Sequence, residues 1–140
     1  MSTLAATSKT LLSLGMEEGA ITKVVDGDLR IHGTKSARWR WLTARRGVLY
    51  AFCSEAKVLY VSREPATLSK SLARLVDAAP DAKAADLNGA IRKLLKAGKE
   101  VRILVWADRP PLTWGGLAVD LGAGIEASLI AFFRPPWNKD

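Results

Sequence analysis

The chain has 140 residues, 49% of them hydrophobic and 25% charged, and carries a net charge of +7. That length suits one domain with a real core, and so large a cationic surplus favours a polyanionic partner, because neutralised phosphates release their counterions. A single cysteine, Cys53, and a single histidine, His32, exclude an intrachain disulfide, a cysteine-based zinc site, a multi-histidine metal site and a histidine triad built within the chain.

Residues 3–15 read as a short amphipathic helix ending near Gly15. Residues 1–10 lack the apolar run of a signal peptide, and no stretch reaches the ~18–20 apolar residues of a membrane span, so a cytoplasmic protein without a membrane partner is expected. Ile21–Val25 and Leu29–His32 flank Asp26-Gly27-Asp28, a turn signal that predicts a β-hairpin. His32 falls on a strand of that hairpin. From Arg30 to Arg46 there are six Lys or Arg residues and no acid, interleaved with Trp39 and Trp41. On a strand, a spacing of two puts both indoles on one face. The stretch is either a DNA-contacting arm, with Arg38, Arg40, Arg45 and Arg46 on phosphates and the indoles free to stack, or a solvated edge whose tryptophans cover the core.

Val48–Cys53 and Val58–Ser62 are β-rich runs that predict a second hairpin. With Ser54-Glu55-Ala56 as a three-residue loop, Cys53 faces Lys57 and Tyr50 faces Tyr60 on one face of the sheet. Such a pair is either aromatic packing or part of a site. Thr67 is a fair N-cap for a helix through about Asp77, with Leu68, Leu72, Leu75 and Val76 on one stripe. A second helix runs from about Ala84 to Ala97, with Leu87, Ile91, Leu94 and Leu95 inward and Gly98 as its end. Val101–Trp106 is apolar enough for a central strand. Arg109–Gly116, with two prolines and two glycines, predicts a loop. A last helix covers about Leu121–Phe133 and stops at Pro135 and Pro136. The order predicts an α+β fold, a small mixed sheet flanked by helices. On the last helix Glu126 shares a stripe with Leu129, Ile130 and Phe133, which places its carboxylate at the rim of the buried face. A carboxylate there is costly unless paired or bound to a cation, although the helix dipole alone also favours an early acid.

The run from Glu126 through Leu129-Ile130 and Arg134-Pro135 to Trp137-Asn138 resembles the closing motif of GIY-YIG nucleases, at the family spacing. Val48-Leu49-Tyr50 and Tyr60-Val61-Ser62 resemble the two name-giving tripeptides, and the section from Ala90-Ile91 to Ala97-Gly98-Lys99 fits the family's middle part. The resemblance covers residues 47–138 and divides the chain into an N-terminal extension with a basic hairpin, 1–46, and a nuclease-like domain, 47–140, together one unit. It implies a metal-dependent DNA endonuclease of restriction or DNA-processing type. In that reading Tyr50 activates or orients the attacking water beside Tyr60, Glu126 is the one protein ligand of Mg²⁺ or Mn²⁺, and Asn138 braces the wall. Arg63 contacts the phosphate or is a plain surface arginine. The family's helix arginine is replaced: direct counting puts Lys70 there, a one-residue insertion puts Ser71 there, and Arg74 lies one turn along from Lys70. Val48 and Ser62 also stand where the tripeptides carry glycine. A retained fold without catalysis, used to bind nucleic acid, is the alternative. A single compact site cutting both strands of DNA implies a homodimer or two visits.

Overall fold

Three two-residue turns set much of the chain's path. The computed structural model describes residues 6–77, 81–107 and 112–138. The first turn joins β1 (Glu17–Val25) to β2 (Asp28–Gly33). Asp26 and Gly27, at φ 52° and 81°, both take the positive φ of a type I′ turn, whose twist matches the flanking strands. The second joins β3 (Arg46–Ser54) to β4 (Lys57–Thr67) through Glu55 and Ala56. This loop is one residue shorter than the sequence suggested, because Ser54 already pairs with Lys57 and Cys53 with Val58. The register then shifts, so that Phe52 faces Tyr60 and Tyr50 faces Ser62, with Leu59 as the extra residue. That bulge decides the side on which Tyr60 points. Without it Tyr50 would oppose Val61, and the two tyrosines would lie on opposite faces.

The strands run in the order β2-β1-β5-β3-β4, with β5 (Arg102–Trp106) in the centre. All four pairings are antiparallel, which corrects the mixed sheet expected from the order of elements within the α+β class. Ile103, Leu104 and Val105 are fully buried, as a strand covered on both faces requires. Because β1 pairs with β5, the N-terminal hairpin belongs to the same sheet as the rest.

Helices cover both faces. On one side lie α2 (Ser36–Thr43), α3 (Leu68–Asp77) and α4 (Ala82–Lys96), whose Leu42, Leu68, Leu72, Leu75 and Ile91 share a core with Val48, Tyr50 and Phe52. On the other lie α1 (Ser8–Ser13) and α5 (Leu121–Phe133), whose Leu11 and Leu129 pack with Leu49, Ala51 and Val61. Val76, expected on the inward stripe of α3, is exposed. Asp81 starts α4 by accepting from the Ala84 N–H at 3.1 Å, and Asp120 starts α5 by accepting from the Ala123 N–H at 3.0 Å. Asn88, buried on α4, donates to the Leu75 carbonyl at 2.8 Å and ties the two helices together. Of the loop expected at Arg109–Gly116, residues 109–111 lie outside the described residues. The remainder enters a small hairpin, β6 (Thr113–Trp114) and β7 (Leu117–Ala118), turned by Gly115 and Gly116.

The basic stretch is the largest departure. It folds as helix α2, not as a strand, so a spacing of two sends the indoles to different sides. Trp39 sits on Gly19 and Gly33, where an added Cβ would run into its ring. Two glycines on neighbouring strands leave the trough that this indole fills. Trp41 stays outside, with the guanidinium carbons of Arg38 and Arg45 at 4.5 and 4.8 Å from its ring centroid.

Candidate active site

Tyr50 and Tyr60 point from β3 and β4 to the same face, their ring centroids 6.2 Å apart, with Phe52 against both. The rings floor a cavity of about 220 Å³ roofed by α3 and α4. Strand alternation brings Ser62 and Glu64 to the same side as Tyr60, and both line this cavity. The Tyr50 hydroxyl lies 3.3 Å from the Ser71 Oγ. Burial first, then the neighbouring Tyr60, push the Tyr50 phenol up to about 12, against the lowering effect of hydrogen bonds to Ser71 and Ser62. At neutral pH Tyr50 therefore holds its proton and can orient a ligand by donating to it, but does not serve as a resting base.

Glu64 is almost fully buried at the cavity wall. Its Oε1 accepts from the Ala66 N–H at 3.1 Å, and its Oε2 meets the Arg74 Nη2 at 3.5 Å. Of the three alternatives for the missing helix arginine, Arg74 and Ser71 line the cavity, while Lys70 is exposed and does not. Two further residues arrive from α4, Asp81 and Lys83. Glu64 was legible in principle, four residues after Tyr60 on the same strand face. Asp81 and Lys83 were not, because their position depends on how α4 docks.

Glu126, Arg63 and Asn138 gather elsewhere, along the outer edge of β4. Among the described residues this strand pairs only with β3, so alternate backbone groups face away from the sheet. The C-terminal segment occupies them. The Trp137 N–H donates to the Leu59 carbonyl at 2.9 Å. Asn138 accepts from the Val61 N–H at 2.9 Å and donates to the Val61 carbonyl at 2.8 Å, as a neighbouring strand would. The Glu126 Oε2 accepts from the Arg63 N–H at 2.7 Å, a charge-assisted bond worth about 1.5–3 kcal/mol. The residues that resembled a closing motif thus close a sheet edge. The Arg63 guanidinium turns to Asp120, Nη2 to Oδ2 2.5 Å, and its buried Nε has no hydrogen-bond partner among the described residues. Glu126 is half-buried and does not line the tyrosine cavity.

Among the described residues no three His, Cys, Asp or Glu side chains cluster as a metal cage. Mg²⁺ does not need one, since it keeps most of its waters and takes one or two carboxylates plus substrate phosphate oxygens. Glu126 fits that role as a lone ligand: one oxygen is fixed by the Arg63 N–H, and the other has no hydrogen bond among the described residues.

The four arginines expected to meet DNA phosphates are not equivalent. Arg38 is committed to Glu17, its Nε at 3.0 Å and 3.2 Å from the two carboxylate oxygens. Arg40, Arg45 and Arg46 are exposed. Arg40 borders a groove shared with Arg30, His32 and Trp39. No helix among the described residues is long and apolar enough to cross a membrane.

No family model and no curated protein matches this sequence. Solved structures do. A glutamate-to-alanine variant of bacteriophage T4 EndoII superimposes with a TM-score of 0.68, at 16% identity, over 96% of this chain and 100% of that one. The chain has the EndoII fold. Restriction endonuclease HPY188I, solved in complex with product DNA, matches with a TM-score of 0.51, at 14% identity, over 95% of this chain and 82% of that one. Both matches include the N-terminal hairpin and α2, which the resemblance to GIY-YIG nucleases left out.

Proposed function

We propose that this protein is a DNA endonuclease of the GIY-YIG kind, of restriction or DNA-processing type, that hydrolyses a phosphodiester with Mg²⁺ or Mn²⁺ held by Glu126. The observation that carries this reading is the meeting of Tyr50 and Tyr60 in one cavity with Arg74, on a fold shared with a restriction endonuclease solved with product DNA. Water attacks phosphorus, the new P–O bond forms and the bond to the leaving oxygen breaks; the proton the water gives up passes to solvent, and the leaving oxygen takes one from solvent. Tyr50 donates its hydroxyl to the phosphate or the water and fixes its orientation beside Tyr60. Arg74, held at the rim by Glu64, takes the place of the missing helix arginine, since Lys70 faces solvent. Arg63 and Asn138 hold the β4 edge on which Glu126 stands. The cation, when bound, supplies positive charge to the phosphate and the leaving oxygen. Arg40, Arg45 and Arg46 on and beside α2 contact DNA phosphates away from the cut, while Arg38, paired with Glu17, positions Trp41.

A second reading, a nucleic-acid-binding module without catalysis, is favoured by one observation: Glu126 accepts from the Arg63 N–H and the Arg63 guanidinium pairs with Asp120, both away from the residues that line the tyrosine cavity. Incubating supercoiled plasmid with Mg²⁺ or Mn²⁺ separates the two. Wild-type protein is expected to cut, and Glu126→Gln, which keeps an oxygen for the Arg63 N–H, to lose at least ~100-fold in rate while still retaining DNA. Cleavage by Glu126→Gln at the wild-type rate removes the metal role. DNA retention with no cleavage by the wild type selects the binding module.

A further inference from the structure

We infer, on the nuclease reading above, that Lys83 in the first turn of α4 is the cation that grips the scissile phosphate, so the clamp comes from α4 as well as α3. Three cations lie near the tyrosine cavity, and their surroundings separate them. Lys70 is exposed and does not line it. Arg74 lines it but is neutralised in part by the buried Glu64, 3.5 Å away. Lys83 lines it with its Nζ 5.5 Å from the centroid of the Tyr60 ring, and takes part in no ion pair among the described residues.

A ring holds an ammonium through its quadrupole within about 6 Å without cancelling the charge, so Lys83 stays available to an anion. The carboxylates around it are committed. Asp81 accepts from the Ala84 N–H, and Glu64 from the Ala66 N–H and from Arg74. Neither needs Lys83. The cavity, at about 220 Å³, is several times the ~30 Å³ share of a liquid water, so a phosphate group is not too large for it. Hydroxyls of Ser62 and Ser71 face the same space and add neutral donors.

The chemistry asked of Lys83 is electrostatic. As water bonds to phosphorus and the leaving oxygen departs, charge is spread over the equatorial phosphate oxygens. An ammonium already in place attracts that charge more strongly in the transition state than in the ground state. Lys83 keeps its proton throughout, and no bond to it forms or breaks.

The test uses the intact protein with Lys83→Ala, Lys83→Arg and, as a control on the exposed side of α4, Lys93→Ala. Cleavage of a labelled duplex with Mg²⁺ should show Lys83→Ala lowered ~100- to 1,000-fold in kcat with KM changed only a few-fold. Lys83→Arg should recover at least part of that loss, and Lys93→Ala should match the wild type. Independently of cutting, lysine side-chain NMR signals titrated with the dinucleotide phosphodiester TpT should shift at Lys83 and not at Lys93. An unshifted Lys83 signal, or Lys83→Ala cutting with wild-type kcat, overturns the assignment. Should the wild type not cut any DNA, the nuclease reading fails on its own, and the TpT titration still decides whether Lys83 holds a phosphodiester.

Discussion

Tyr50 shares a hydrogen bond with the Ser71 hydroxyl and packs its ring against Phe52 and Tyr60, and this burial has a consequence for stability at alkaline pH. Its phenol, ordinarily near 10, is pushed up to about 12, so between those values the folded chain keeps a proton that the unfolded chain loses. Unfolding then releases a proton, and stability falls as pH rises from about 10 towards 12, by roughly 2–3 kcal/mol in all. Below pH 10 the contribution is intact. Tyr50→Phe is expected to lessen that fall. Cys53, raised from 9.0 to about 12 by its own burial, loses stability over that wider range in both proteins, so the difference between them isolates Tyr50. Urea unfolding of both at pH 8, 10, 11 and 12 measures it, and parallel curves would refute the account. The sequence placed both tyrosines on one face, but through a loop and register that the chain does not use. The bulge at Leu59 restores the face, and bulges leave no clear local mark. Glu126 was legible as a carboxylate at the rim of a buried stripe. Its partner, the Arg63 N–H, was not, because nothing local says which strand edge a helix will reach.

Helix α5 was legible to its ends because its signals are local: an apolar run, then Pro135 and Pro136. Helix α2 was not. It buries only Leu42 fully, so no 3.6-residue stripe marks it, and it is held by Trp39 lying on Gly19 and Gly33 of the two strands before it, a contact that only the pairing of β1 with β2 creates. Being a helix changes what its cations can do. Trp41 keeps the guanidinium groups of Arg38 and Arg45 beside one indole, while Arg46, where β3 begins, is also exposed. If this face meets the DNA backbone, each phosphate contact contributes about −0.9 to the slope of log K against log salt. Arg45→Ala with Arg46→Ala is then expected to flatten that slope by roughly 1.8 and to weaken binding similarly on any sequence. Fluorescence anisotropy of a labelled duplex across a salt series gives the slope. A slope equal to that of the wild type would show that DNA approaches from another side.

At the scale of the whole molecule, the α+β class and the central position of β5 followed from pattern, whereas the strand order did not. Pairing β1 with β5 joins residues some eighty positions apart, and only the global packing selects it. That pairing leaves β4 as an outer strand, and the C-terminal segment then covers the β4 edge instead of another copy of the chain. With backbone groups of Leu59, Val61 and Arg63 taken by Trp137, Asn138 and Glu126, this part of the edge is not open to pairing with the same strand of a second copy. On the proposed nuclease reading, each chain offers one tyrosine cavity and one carboxylate at Glu126, and cuts one strand at a time. On supercoiled plasmid with Mg²⁺ at low protein concentration, the nicked circle is expected to accumulate before the linear form. The second cut should speed up as protein is raised, because it needs a second visit or a second subunit. Gel quantification of the three plasmid forms over time measures this. Direct conversion of supercoiled to linear DNA, with no nicked intermediate at any concentration, would mean that two sites act together in a standing assembly.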